Sequence, residues 1–156
     1  MSTPPVLRPS LAANAELCAY VGLLPLVLSP LGIAFLPSYA LRELSQQLAL
    51  GYGAVVLATL GGVHWGMALA GRMSWTPARI LGAVLPAVCG AVSVAAAGQL
   101  GLAILVIGLG VFWLYEHRVV GSELPEVYLR LRRNLTLAGC SLLAVSMFVS
   151  ESVGLL

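Results

Sequence analysis

The run LALGYGAVVLATLGGVHWGMALAG, Leu48–Gly71, holds 24 residues, and His64 is the one side chain in it that titrates near neutrality. At about 1.5 Å per residue a helix of that length crosses the roughly 30 Å hydrocarbon core of a bilayer. Three glycines, Gly61, Gly62 and Gly66, surround the imidazole. Small residues of this kind let another helix approach closely, and an ionisable group inside a membrane helix is a functional-site hypothesis by default.

The rest of the chain has the same character. Of 156 residues, 60% are hydrophobic and 9% charged, against about 25% charged in an average soluble domain. That composition excludes a water-soluble fold and predicts an all-α integral membrane protein with five transmembrane helices. The expected spans are about 17–36, 48–71, 80–97, 101–117 and 134–151, within one domain over 16–152. Pro25, Pro30 and Pro37 should kink or break the first span, because proline removes a backbone donor.

Residues 1–15 form a polar leader with Pro4, Pro5, Pro9 and Arg8, without the multiply basic character of a transit peptide. Residues 38–47 form the first polar linker. The last linker, Val119 to Arg133, is the most polar stretch. Ser122 is the expected cap there, and the segment EVYLRLRRN predicts a short interfacial helix with snorkelling arginines.

Arginine placement sets orientation. Arg8, Arg72, Arg79, Arg118, Arg130, Arg132 and Arg133 fall on the leader side and Arg42 alone on the other. Seven against one predicts a cytoplasmic N-terminus and a periplasmic C-terminus, in a bacterial cytoplasmic (inner) membrane. The net charge of +2 is too small to imply nucleic acid. The bilayer itself and other membrane subunits are the expected partners.

Counting from the flanking arginines puts His64 about 12 Å below the cytoplasmic boundary, with Cys89 and Cys140 near the same level and Glu116 and His117 one to two turns shallower. His64 has three open readings. It packs through a hydrogen bond, it binds a haem or a quinone, or it handles protons, since its ordinary pKa is about 6.5. A copper or zinc site from His64, Cys89 and Cys140 is chemically admissible, but the three come from different helices, so no metal site is assigned.

Glu116 and His117 are read either as an interfacial charge cluster, with Glu116 paired to Arg130 or Arg132, or as a proton entry. Arg130, Arg132 and Arg133 face anionic lipid headgroups or a partner's acidic surface. Gly139 and Ser146 mark a packing face on the last span, beside Thr136 and Cys140. There is no nucleophile triad, phosphate loop, dinucleotide fingerprint or zinc-hydrolase signature, so no catalytic residue is named and ordinary hydrolase or transferase chemistry is not expected.

The stretches YGAVVLATLGGVHWGMAL and LPEVYLRLRRNLT, with Glu116 at the end of the preceding span, resemble the transmembrane protein 69 family, small polytopic proteins of bacteria and mitochondria. The resemblance covers roughly Gly51 to Thr136. It departs after the Leu-Pro pair, where a tryptophan is expected and Glu126-Val127-Tyr128 stands. That family implies a membrane fold and no established activity.

The expected role is therefore a small accessory or assembly subunit of a larger inner-membrane complex, acting through helix packing. The competing role is a small-ligand or proton-handling protein centred on His64. His64→Gln, which keeps a hydrogen-bonding group, is expected to preserve membrane yield and assembly, whereas His64→Leu lowers both. Comparing membrane-inserted protein levels and size-exclusion profiles checks this.

Overall fold

The computed structural model describes residues 9–121 and 124–155, with side chains from Ala13 onward. Arg8 and the expected Ser122 cap lie outside the described residues. Helices account for nearly all of the described chain: α1 Pro9–Val21, α2 Leu24–Phe35, α3 Tyr39–Leu69, α4 Pro77–Ala96, α5 Gly98–Tyr115 and α6 Glu126–Ser152. A π-helical turn, Glu116–Val120, continues α5. Among the described residues, five helical segments are long and apolar enough to cross a membrane, Ala13–Phe35 counting as one. The chain is a multi-pass membrane protein.

The first span breaks where proline dictates. Pro25 opens α2, and Gly22-Leu23 form the turn between α1 and α2. The Gly22 carbonyl exposed at that break accepts a 2.6 Å hydrogen bond from the Tyr52 hydroxyl on α3. A neighbouring helix thus supplies the partner that a broken membrane helix requires. Ser29 also donates to the Ser45 carbonyl at 2.8 Å, fastening α2 to α3 again.

Several boundaries differ from those expected. Residues 9–15 are the opening of α1. The polar segment 38–47 is helical: Ser38 caps α3 by accepting from the Leu41 amide, and Gln46 is buried. At 31 residues α3 is about 46 Å long, more than a straight crossing needs. Among the described residues no separate interfacial helix precedes the last span, because Glu126 and the residues after it run straight into α6. Glu126, Arg130 and Arg133 stay on its exposed side, so continuing the helix costs them nothing.

Around α3 the bundle closes with α2, α4 and α5, and α6 packs on α5 and α2. The core is mostly leucine: Leu26, Leu50, Leu57, Leu102, Leu105, Leu109 and Leu143, with Ala49 and Phe112. At the α3–α4 contact a Cβ on Gly61 would come within 2.5 Å of the Ala83 carbonyl oxygen, and one on Gly90 within 2.9 Å of the Ala54 oxygen. These two glycines set the helix separation.

Gly61→Ala is therefore expected to lower stability by about 1–3 kcal/mol, the usual cost of overpacking. Gly62→Ala, whose Cβ meets nothing within 4 Å, should leave stability unchanged or raise it by up to about 1 kcal/mol through helix propensity. Thermal unfolding in detergent distinguishes the two.

Candidate functional site

Buried positions recur along each helix at three- and four-residue steps, and these stripes carry polar groups into the core. On α3 the stripe is Leu57, Gly61, His64 and Ala68. On α5 and its π turn it is Leu105, Leu109, Phe112, Glu116 and Val120. On α6 it is Arg132, Thr136, Gly139, Leu143, Ser146 and Ser150. The three stripes converge at the arginine-rich end of the bundle. His64, Glu116 and Arg132 meet there with exposures of 2%, 1% and 5%.

Glu116 is the hub. Its Oε2 accepts from Arg132 Nε at 2.8 Å, and its Oε1 accepts from the Tyr128 hydroxyl at 3.2 Å. His64 Nε2 stands 3.6 Å from the same Oε1. Arg132 Nη1 donates to Thr136 Oγ1 at 2.7 Å, and the guanidinium carbon lies 5.8 Å from the centre of the Phe112 ring. Phe112 and Tyr115 meet the imidazole edge-on, at centroid distances of 5.3 and 5.9 Å. Nδ1 makes no well-formed hydrogen bond among the described residues, although the Leu60 carbonyl one turn back interacts with the ring.

Chemically this is a guanidinium and a carboxylate that balance each other, with an imidazole against the carboxylate's second oxygen. Nε2 faces Glu116, so haem ligation through that nitrogen would displace the carboxylate. Cys89 and Cys140 donate their S–H groups to the Ile104 and Val106 carbonyls. Neither thiol joins His64 in a metal-holding group among the described residues.

Glu116 and His64 are direct neighbours, where residue counting set them one to two turns apart. The fourth span continues through the π turn to Val120, beyond the expected end at 117. The Glu116–Arg132 pairing was one of two expected. His117 points outward and stacks on Trp113. Arg130 and Arg133 are exposed, so the three arginines of the last linker do not act together. Among the described residues a Cβ on Gly62 or Gly66 would meet nothing within 4 Å, while one on Gly139 would meet Leu109 and Leu26 at ordinary contact distance. Ser146 is buried and bonds the Leu142 carbonyl of its own helix.

Tyr128 and Thr136 are site members whose role the sequence did not mark: Thr136 was read only as a neighbour of the packing face. Thr136 stands one turn past Arg132 on the same stripe, where the i, i+4 rule predicts a contact. For Glu116, the spacing from Leu105 and Leu109 through Phe112 was the available signal.

A family model described as a protein of unknown function (DUF3429) matches residues 12–148, and the chain belongs to that family. Comparison with curated proteins and with solved structures gives no match.

Because removing one partner of a buried pair strands the other charge, Arg132→Leu alone is expected to cost about 3–5 kcal/mol. Arg132→Met combined with Glu116→Gln should recover most of that loss. Thermal unfolding of the three proteins in one detergent tests the order, and equal loss in the single and double variants would contradict it.

Proposed function

We propose that this member of the DUF3429 family handles a proton inside the membrane at the His64–Glu116 pair. The observation that carries the proposal is Glu116, fully buried in a membrane-length helix and touching both an imidazole and a phenol. A buried ion pair adds little stability compared with a well-packed apolar substitute. Ionisable groups in membrane spans instead mark ion pathways and proton relays.

Tyr128 supplies a connection to the surface. It is partly exposed and borders a cavity of about 370 Å³ shared with Glu16, Pro125, Arg130 and Asn134, and its hydroxyl reaches Glu116. Protons entering there pass Tyr128 and Glu116 to reach His64. The excess of arginine on that side supports a cytoplasmic entrance, with the N-terminus inside and the C-terminus in the periplasm of a bacterial inner membrane. The quoted motifs support a finer kinship with the transmembrane protein 69 family.

A second role, as an accessory or assembly subunit packing against other spans, is favoured by Gly62 and Gly66. Both are exposed on α3, and a Cβ at either meets nothing within 4 Å. Extraction as a bare monomer in mild detergent would count against it.

The chain has two histidines, so a His117→Asn background isolates His64 for nitrogen-15 magnetic resonance in lipid vesicles. The resonance is followed between about pH 5 and 8, where an imidazole ordinarily changes charge, and the expected result is a titration whose midpoint falls in Glu116→Gln, because that change removes the negative charge beside the ring. A His64 signal that stays constant across that window would overturn the proton proposal.

A further inference from the structure

Arg132 turns inward to Glu116, and its neighbours Arg130 and Arg133 turn outward into a separate cavity of about 420 Å³ between the end of the fourth span and the start of the fifth. Glu126, Arg130 and Arg133 line it from α6, at a four- then three-residue spacing that puts them on one helix face. Trp113 and His117 line it from the other side, one turn apart, with rings stacked at 5.8 Å and 15° from parallel. Two guanidiniums against one carboxylate leave a single positive charge, which complements one phosphodiester.

The cavity also sits at the right depth. Both of its walls are the ends of membrane-length helices. Trp113, partly buried, is the residue type that favours the headgroup level. One turn deeper the surface becomes apolar: Leu137 is 61% exposed below Arg133, and Gly110 below Trp113 has open space where a side chain would be. A charged cup above an apolar track matches an amphiphile with an anionic head and an acyl chain.

We infer that this cavity binds the phosphate headgroup of an anionic phospholipid from the adjoining leaflet, with Arg130 and Arg133 on the phosphate and the Trp113–His117 stack against the glycerol region. Arginine suits the role because its planar fork donates in pairs to phosphate oxygens. Arg130 also borders the Tyr128 cavity, but neither His64 nor Glu116 lines the headgroup site, so its occupancy does not require that pair to titrate.

To test it, the full chain in neutral detergent is titrated with phosphatidylglycerol or phosphatidylcholine, with inorganic phosphate as a competitor, and bound lipid is counted by native mass spectrometry. Phosphatidylglycerol is expected to bind preferentially, and Arg130→Gln with Arg133→Gln to weaken it roughly thirtyfold. Glu126→Gln removes the cavity's carboxylate and should tighten binding, an opposite sign that a folding defect would not produce. Arg118→Gln, exposed at the same end but outside the cavity, should have little effect. Equal binding of the two lipids would overturn the inference. So would displacement by inorganic phosphate, weaker binding in Glu126→Gln, or an Arg118→Gln loss matching that of the double variant.

Discussion

The carboxylate of Glu116 has to find its partners inside an apolar bundle, and this requirement ties the structure together. A charge removed from water is costly unless it is paired and hydrogen-bonded. Arg132 and Tyr128 meet that cost from α6, and His64 approaches the same carboxylate from α3. Three spans are thereby fixed in rotation and depth relative to one another. A one-residue turn of any of the three helices would carry its polar group about 100° away from the others.

The backbone around the cluster is arranged to allow this convergence. Gly61 brings α4 against α3 one turn from His64, and Phe112 and Tyr115 close the ring's flanks. At the other end of the bundle the demands are simpler. The broken first span needs one donor, from Tyr52, and Gln99 bonds the Met147 carbonyl across the α5–α6 contact. Polar side chains in this bundle repair interrupted backbone, tie neighbouring helices together or build the charged cluster.

The opening turns of α6 show how one short segment serves two environments. Arg130, Arg132 and Arg133 are close in sequence, yet the helix sends the middle one into the core and the outer two to the surface cavity. Read as a cluster they suggest one lipid-facing patch. Helical geometry divides them into a buried charge paired with Glu116 and an exposed pair at the surface cavity.

Membrane residence and five spans were legible in the sequence, because long apolar blocks with so few charges have no other stable state. The prolines announced the broken first span, and His64 stood out as a polar residue in lipid. The partners of His64 were not legible. Counting residues from a span's end assumes that the end is known, and the fourth helix continues through the π turn past the expected boundary; counting also leaves out the rotation and reach of the side chain that bring Glu116 to the imidazole. Nor does the motif GGVHWG reveal which of its glycines touches a helix, since Gly61 faces α4 and Gly62 and Gly66 face outward. Hydropathy is a property of composition and local order, so the chain alone determined solvent, class and span number. Which side chains meet depends on the rotation and depth of helices far apart in sequence, and only their packing decided that His64, Glu116 and Arg132 form one site.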